Sequence, residues 1–304
     1  MKCKFCENEY YIKLNFPKMT LCKGHFLKYF EKKVERTIKK YRLLSEGERI
    51  LIGVSGGKDS AVVAYVLKKL GYEIGCVHIN LGIEDYSTRS EVFAQHQCEL
   101  LGLQLPVVKV KAQLGTSIGE LRTRRATCSS CGITKRYILN KFAYDNGFDV
   151  VATGHNLDDE SSFIFGNVMN WNTQYLARQG PFLPGQGKFV KRVKPLYELS
   201  EREIKAYAQA VGLEFIGCRC PKGKGATTTS YKALLAKIEE KNPGTRLNFV
   251  RGFLRKRELF KEELEEFELN ECEVCGMFTS RKICAFCSLW RLKEPVDFKL
   301  NALI

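Results

Sequence analysis

Long apolar runs are absent from this sequence. No stretch of about 18 consecutive apolar residues occurs, so no segment is expected to span a membrane. The N-terminal sequence MKCKFCENEYY also lacks the apolar core of a secretory signal peptide. We therefore predict a cytoplasmic protein that does not bind membranes.

Acidic residues are in short supply relative to basic ones. The 304 residues include 49 Lys and Arg against 34 Asp and Glu, which gives a formal charge of +15. Such an excess favours a polyanionic partner, because neutralising phosphates releases their counterions, although a merely basic surface would give the same composition. The hydrophobic content of 44% is ample for a packed core, and the length allows one large domain or two to three smaller ones.

Two common phosphate-binding patterns are missing from the segment ILIGVSGGKDSAVVAYVLKKLG, residues 50–71. The P-loop of nucleotide hydrolases needs four residues between its first glycine and a Gly-Lys-Ser/Thr sequence, whereas Gly56 and Gly57 are adjacent here. The G-x-G-x-x-G fingerprint of dinucleotide-binding folds does not follow this strand either. These two classes of nucleotide-binding protein are therefore excluded.

The same segment does contain a strand, a glycine-rich turn and the start of a helix. Backbone amides of the turn, the helix N-terminus and the hydroxyls of Ser55 and Ser60 can together hold an anion. Asp59 would repel a bare phosphate, but it suits a site in which Mg²⁺ bridges its carboxylate and the phosphate. The segment therefore predicts a Mg²⁺–nucleotide site.

Cysteine is abundant, with 13 residues, and disulfides are not expected in a cytoplasmic protein. Two sets of four residues, one near each terminus, consist of ligand pairs separated by two residues. Two such turns that face each other complete a tetrahedral metal site with no open position, which is typical of structural zinc. The predicted zinc ligands are Cys3, Cys6, Cys22 and His25 in the first set and Cys272, Cys275, Cys284 and Cys287 in the second.

A third group of thiols resembles neither set. The sequence CSSC supplies Cys128 and Cys131, and the distant sequence GCRCP supplies Cys218 and Cys220. Three thiolates would leave one metal position free, which suits an iron–sulfur cluster with an open iron, or a pair of redox-active thiols with a helper. Spacing alone does not choose between these two chemistries.

Strand-like and helix-like runs alternate from residue 49 onward. The strand-like runs ILIGVS, YEIGCVHINLG, LPVVKVK and DVVATGH are each followed by a helical pattern. This alternation predicts an α/β fold, an open parallel sheet with helices on both faces, flanked by a zinc-finger module at each end. The predicted units are an N-terminal zinc module at 1–27, a linker helix at 28–48, a nucleotide-binding catalytic domain at 49–268 and a C-terminal zinc module at 269–304.

The motif SGGKDS resembles the signature of the PP-loop ATP pyrophosphatases, which split ATP between its α and β phosphates and adenylate a substrate oxygen. The motif TGHNLDDE, 153–160, resembles the second nucleotide motif of that family. The CxxC pair, the distant Cys-Pro and the two zinc modules make the chain similar to the tRNA 2-thiolation enzymes within it. This resemblance covers nearly the whole chain.

The resemblance implies roles for particular residues. Cys128, Cys131 and Cys220 match the ligands of a [4Fe–4S] cluster, and Cys220 is preferred over Cys218 because the family's third cysteine precedes a proline. Lys135 and Asp159 match catalytic residues placed between ATP and the cluster. The positions that match the nucleotide site, with Ile79 holding the adenine, are Gly53, Val54, Ser55, Gly56, Gly57, Asp59, Ser60, Ile79, Lys135 and Gly154.

The implied reaction is an ATP-dependent tRNA 2-thiolation by a sulfurtransferase. Adenylation would turn the C2 oxygen of a uridine into a good leaving group, with developing charge neutralised by Mg²⁺, Lys135 and loop amides. A sulfur nucleophile, delivered from a cluster or from a cysteine persulfide, would then expel AMP; the family match favours the cluster. The resemblance favours 5-methyluridine 54 over the wobble uridine 34. It also implies a homodimer, and a sulfur donor that is a ubiquitin-like thiocarboxylate carrier or free sulfide.

Two other functions compete with this interpretation. A PP-loop enzyme of another class, such as one making lysidine, would have no use for three extra cysteines beside the nucleotide site. A zinc-containing nucleic-acid-binding protein without catalysis would have no use for SGGKDS and TGHNLDDE together.

Overall fold

The computed structural model describes residues 1–218, 220–223, 227–263 and 269–298. The predicted domain boundary at 268 and the last residues of the C-terminal module lie outside these ranges. The strands are β1 (Ile12–Asn15), β2 (Lys18–Leu21), β3 (Ile50–Gly53), β4 (Ile74–Asn80), β5 (Val107–Lys109), β6 (Val150–Ala152), β7 (Phe182–Leu183), β8 (Lys191–Val193), β9 (Asn270–Glu271) and β10 (Phe278–Thr279).

Helices separate the strands of the central domain and continue after it. They are α1 (Lys23–Tyr41), α2 (Lys58–Lys69), α3 (Glu84–Glu99), α4 (Val110–Leu114), α5 (Thr127–Asp145), α6 (Leu157–Met169), α7 (Thr173–Arg178), α8 (Glu201–Ala210), α9 (Thr227–Lys241), α10 (Thr245–Lys256) and α11 (Ala285–Trp290). Two 3₁₀ turns, Pro221–Gly223 and Arg257–Glu263, complete the described helical segments.

The central sheet of the described chain has six strands in the order β5-β4-β3-β6-β8-β7. Five of them run parallel, and β7 joins the edge in the antiparallel direction through β8. The predicted α/β class is confirmed, and the four strand-like runs of the sequence are β3, β4, β5 and β6. Each of these strands is followed by a helix, as the alternation predicts.

The strand order reverses between β3 and β6. From β3 the chain adds β4 and then β5 on one side, and it returns to add β6 and β8 on the other side. Connections that leave in opposite directions open a crevice at the carboxyl ends of two neighbouring parallel strands, which is where ligands bind in open α/β sheets. The carboxyl ends of β3 and β6 carry SGGKDS and TGHNLDDE.

Strand β3 separates two cores because its side chains alternate between the faces of the sheet. Ile50 and Ile52 lie in a core shared with α1 and the N-terminal hairpin, and Leu51 lies in a core shared with the C-terminal module. Both terminal modules are therefore packed onto the central sheet, one on each of its faces.

The predicted linker helix is part of the first core. It begins at Lys23 rather than after residue 27, because Cys22 is its N-cap and His25 lies in its first turn. Its buried residues Phe26, Phe30, Val34 and Ile38 recur every fourth position and form one apolar stripe. The Phe30 ring stacks on the Tyr207 ring of α8 with centroids 4.1 Å apart.

The C-terminal module packs against α5. The rings of Tyr137 and Phe286 stack with centroids 3.8 Å apart, and Trp290 Nε1 donates to Thr134 Oγ1 at 3.0 Å. These contacts fix the helix that carries Cys128 and Cys131 from the side opposite the crevice.

A buried carboxylate, Glu198 in the turn before α8, joins the two helices α1 and α10. It accepts hydrogen bonds from Lys40 Nζ and Tyr41 Oη, each at 2.6 Å, and from the guanidinium of Arg251. Burial opposes ionisation, but the bonds from Arg251, Lys40 and Tyr41 outweigh it and lower the pKa of Glu198 to about 2. The carboxylate therefore ties α1 and α10 to the turn between β8 and α8.

Replacing Glu198 by Gln is expected to destabilise the fold by about 3 kcal/mol at neutral pH, because the lowered pKa is stabilisation supplied by the ionised carboxylate. A carboxyl whose pKa is lowered by folding stabilises the folded state fully when the pH is above its unfolded pKa of 4.5. This stabilisation is lost as the pH falls from 4.5 towards about 2. The difference in unfolding free energy between wild type and E198Q, measured by denaturant titration, should therefore shrink over that interval. A difference that is independent of pH would contradict this assignment. E35Q, which removes a surface pair with Lys39 on the same helix, is the matched control and should cost little.

Candidate functional site

A cavity of about 440 Å³ occupies the crevice at the carboxyl ends of β3 and β6. Seven of the predicted site residues line it: Gly53, Ser55, Asp59, Ser60, Lys135, Gly154 and Asp159. The other lining residues are Gly132, Arg136, Leu139, Asn140, Val151, Ala152, Thr153, His155, Phe163 and Arg192. The topology therefore brings residues from β3, α2, α5, β6, α6 and β8 to one opening.

The SGGKDS turn is held by its own hydroxyls. Ser60 Oγ donates to the Gly57 carbonyl and accepts from the Ser55 amide, each at 3.1 Å. Gly56 has φ +72°, and a Cβ there would lie 2.4 Å from the Ser90 carbonyl oxygen, so only glycine fits. Gly57 is the N-cap of α2, which leaves the helix N-terminus directed towards the crevice as an anion site.

Asn156 connects the two nucleotide motifs. Its Nδ2 donates to Asp59 Oδ1 at 3.1 Å, and its Oδ1 accepts from the amides of Asp158 and Asp159 as the N-cap of α6. Gly154 approaches the first motif even more closely, since a Cβ on it would stand 2.8 Å from the carbonyl carbon of Asp59. The two motifs therefore form one site.

The two acidic residues of the cavity face each other. Burial raises the pKa of the Asp59 carboxyl, against the ion pair with Lys58 at 2.9 Å, and the charge of Asp159 raises it further. Lys232 of α9 forms an ion pair with Asp159. Carboxylate oxygens that share a site in this way suit a divalent cation that bridges to phosphate.

Two arginines and a lysine give the cavity positive charge. Lys135, Arg136 and Arg192 form no ion pair within the described ranges. Burial lowers the pKa of both Arg136 and Arg192, and Arg136 lowers that of Arg192 further, although guanidinium groups stay charged. Cations without acidic partners are available to an anionic ligand.

His155 lies on the wall of the same cavity, and its Nδ1 is 2.9 Å from Thr153 Oγ1. Burial and the charge of Lys194 lower its pKa, so the imidazole is neutral at physiological pH. This contact keeps the turn after β6 in shape.

The thiols of Cys128 and Cys131 lie in the first turns of α5, which begins at Thr127 and so includes the CSSC sequence. Cys128 Sγ is 3.5 Å from the carbonyl oxygen of Lys222, in the 3₁₀ turn that follows Cys220. Burial raises the pKa of Cys131; Lys135 opposes this, and the neighbouring Cys220 and Cys128 thiols add to it. The three thiols therefore converge at one end of α5.

This group borders the cavity, because Gly132 follows Cys131 and lines the cavity wall. Cys220 is partly buried against the core, whereas Cys218 is exposed. The trio is not among the groups of the described chain whose ligand atoms all lie within 4.8 Å of one another.

The two terminal sets have the geometry of single-ion sites. In each set, all four ligand atoms lie within 4.8 Å of one another. In the first set, His25 Nδ1 is 3.2–3.5 Å from the sulfurs of Cys3, Cys6 and Cys22. Sulfur and imidazole ligands in a tetrahedral group fit zinc.

Some predicted residues lie beside the cavity rather than on its wall. Val54, Gly56, Gly57 and Ile79 are not among its lining residues within the described chain; Val54 is buried, and Ile79 packs on the second core. The sequence analysis missed Arg136, Arg192, Asn156 and Phe163. Arg136 is adjacent to Lys135, and Arg192 lies in a charged three-residue strand that carries no strand pattern.

The fold and the site together define an ATP-type nucleotide-binding protein with an adjacent thiol site. A model of the PP-loop domain matches residues 27–218, and the chain belongs to this family. The PP-loop family predicted from the motifs SGGKDS and TGHNLDDE is therefore confirmed.

Relatives extend the likeness over nearly the whole chain. The tRNA-5-methyluridine(54) 2-sulfurtransferase of Pyrococcus horikoshii is 61% identical over 302 residues, which cover 99% of this chain and 97% of the relative. The enzyme of the same name from Thermus thermophilus is 44% identical over 95% of this chain and 91% of its own. The solved structure of the U34-tRNA thiolase NcsA from Methanococcus maripaludis with its [4Fe-4S] cluster has a TM-score of 0.84 and 31% identity, covering 98% and 99% of the two chains.

None of the described helices is both long enough and apolar enough to span a membrane.

Replacing Gly154 by Ala is expected to weaken ATP binding by at least about tenfold. The added Cβ would meet the backbone of Asp59 and Ser60 at 2.8–3.0 Å, so the SGGKDS turn must shift. Isothermal titration with an ATP analogue measures this effect. The control is G252A on α10, where the Cβ meets only the far end of Arg255 at 4.0 Å, and its affinity should match wild type. Unchanged affinity of G154A would show that the two motifs do not share the ligand.

Proposed function

We propose that the protein is an ATP-dependent tRNA 2-sulfurtransferase that converts 5-methyluridine 54 into its 2-thio form. The observation that carries the proposal is the position of α5. Its first turns hold Cys128 and Cys131, and the following turns place Gly132 and Lys135 on the wall of the nucleotide cavity. A site for activating an oxygen and a site for supplying sulfur are therefore adjacent.

The first step forms an adenylate on the substrate. The C2 oxygen of the uridine attacks the α-phosphate of ATP, the bond from that phosphorus to the bridging oxygen breaks, and pyrophosphate leaves. The SGGKDS turn, with Ser55 and Ser60, holds the departing pyrophosphate at the N-terminus of α2. Lys135 neutralises charge that develops on the transferred phosphoryl group.

The second step replaces the activated oxygen. A sulfur nucleophile attacks C2, the bond from C2 to the adenylated oxygen breaks, and AMP leaves with that oxygen. The cavity walls, including Leu139 and Phe163, restrict water that would otherwise regenerate the uridine. Neutral His155 keeps the adjacent turn in place without adding charge.

Cys128, Cys131 and Cys220 would hold a [4Fe–4S] cluster, which supplies the sulfur nucleophile at its fourth, open iron when it is bound. Asp59 and Asp159 would hold Mg²⁺, which would supply positive charge to neutralise the phosphates, and Lys232 forms an ion pair with the same Asp159. The two terminal sets of four ligands would each hold a structural Zn²⁺.

The remaining partners follow from the reaction and from the charge. The +15 formal charge suits tRNA as a polyanionic substrate. The sulfur donor is proposed to be a ubiquitin-like carrier with a C-terminal thiocarboxylate, or free sulfide. We also propose a cytoplasmic homodimer.

A second candidate is 2-thiolation of uridine 34, which is favoured by the structural likeness to the U34-tRNA thiolase. The higher identity to two enzymes that are named for position 54 favours the first candidate.

Thiolation assayed with purified protein, ATP, sulfide and tRNA that carries 5-methyluridine at position 54 but no thiolated nucleoside is expected to yield 2-thio-5-methyluridine at position 54. Nucleoside mass spectrometry of mapped tRNA fragments measures the product. The control is the tRNA with cytidine at position 54, which should stay unmodified. Sulfur appearing at position 34 instead would select the second candidate. No sulfur at either position, both with sulfide and with a thiocarboxylated ubiquitin-like carrier as donor, would refute both.

The variant Cys220→Ser is expected to lose iron, sulfide and the broad brown absorbance of a cluster after anaerobic purification, together with thiolation. The matched control is Cys218→Ser, which alters the exposed neighbouring thiol and should retain about four iron atoms per chain. Iron analysis and visible absorbance check both variants. The reverse pattern, with loss only in Cys218→Ser, would reassign the third ligand.

A further inference from the structure

One of the two tryptophans has no role in the core. Trp290 is 7% exposed and donates to Thr134, whereas Trp171 is 73% exposed and packs in none of the described cores. A large aromatic side chain left in water is informative when it lies beside a functional site.

The turn that carries Trp171 is held in place by hydrogen bonds. The Trp171 amide donates to the Val168 carbonyl at 3.1 Å, and the Asn172 amide donates to the Asn167 carbonyl at 2.9 Å. Asn170 Nδ2 donates to the Gly166 carbonyl at 2.7 Å. Trp171 itself has φ +48°, a left-handed conformation that is costly for a bulky residue. The indole is therefore presented to solvent by a defined turn.

A second exposed aromatic residue follows on the short helix α7. Tyr175 is 68% exposed, and its amide donates to the Asn172 carbonyl at 3.0 Å, so the turn and the helix are one unit. We call Trp171 and Tyr175 the aromatic ledge.

The aromatic ledge lies beside a second cavity that adjoins the nucleotide cavity, since Tyr175 and the two neighbours of Trp171, Asn170 and Asn172, line that second cavity. The second cavity has a volume of about 380 Å³, and Phe163 lines both cavities. On the catalytic side, the Tyr175 hydroxyl lies within electrostatic reach of Arg136. A ligand that fills the first cavity and extends beyond it would therefore meet the ledge.

The chemistry around the ledge fits single-stranded RNA better than an apolar protein surface. The second cavity is lined mainly by amides and hydroxyls: Ser162, Asn167, Asn170, Asn172, Gln179, Thr227, Thr228 and Tyr231. Amides offer both donors and acceptors to base edges, aromatic faces stack on bases, and Arg136 offers charge to a phosphate. The core of a homodimer interface would be expected to be more apolar than this lining.

The proposed reaction explains why nucleotides next to the target uridine would be unstacked. The C2 oxygen of a uridine inside a base stack is not accessible to a closed cavity, so the target nucleotide must be extruded. Its neighbours then lose a stacking partner. On the basis of the proposed function, we propose that Trp171 and Tyr175 stack on the unpaired nucleotides that flank the target uridine and so position it over the nucleotide cavity.

The test measures tRNA binding by anisotropy and thiolation by mass spectrometry for W171A, Y175A and W171F. Each alanine variant should weaken tRNA binding about tenfold to a hundredfold, as loss of one base–aromatic stack does. W171F should retain most of the affinity, since a ring remains. ATP binding should be unchanged in all three variants. The tryptophan fluorescence of wild type, but not of W171F, should be quenched by tRNA.

The matched control is Y144A, an exposed tyrosine on α5 outside both cavities, which should bind tRNA like wild type. If wild type thiolates tRNA and W171A binds tRNA normally, the ledge proposal is refuted while the enzymatic function stands. If wild type itself fails to modify tRNA, the proposed function has failed. Conversion of a dimer into a monomer by W171A, with unchanged tRNA affinity per site, would reassign the ledge to contact between two copies.

Discussion

The position of helix α5 is the constraint on which the rest of the site depends. Its N-terminal turns carry Cys128 and Cys131, the next turn carries Lys135, and its far face is stacked on the C-terminal module through Tyr137 and Phe286. Stacking on that module leaves the helix little freedom to rotate. Thiols at one end and a cation one turn later are therefore held in fixed relation to the nucleotide cavity, so the C-terminal module contributes to the geometry of the reaction as well as to stability.

The second constraint is the close contact between the two nucleotide motifs. They are about a hundred residues apart in sequence, but the reversal of strand order sets β3 beside β6, and Asn156 bonds to Asp59 across the gap. Gly154 is required there because no side chain fits between the two turns. Cations that come from outside the PP-loop match, Lys232 and Arg246, then form ion pairs with Asp159 and Asp158 of the second motif. The helices after residue 218 thus complete a site that the domain alone leaves unfinished.

Sequence reasoning was effective where a local pattern has one physical solution. Alternating apolar runs fixed the parallel sheet, and the spacing of cysteines gave two four-ligand groups that the structure draws together. It failed where tertiary contacts decide the outcome. Strand β8 is too short and too charged to show a strand pattern, so Arg192 was not predicted as a site residue. The exposure of Trp171 was not predicted either, because a helical pattern does not show that an aromatic side chain is exposed.

The central claim is that the site of oxygen activation and the site of sulfur supply lie next to each other at one end of α5. Anaerobic crystals of the protein loaded with iron, sulfide and a non-hydrolysable ATP analogue allow the claim to be measured by anomalous diffraction at the iron edge. Iron density bounded by Cys128, Cys131 and Cys220, facing the α-phosphate of an analogue bound against the SGGKDS turn, is the predicted result. Iron held elsewhere, or an analogue bound on the opposite side of the sheet from these cysteines, would contradict the account.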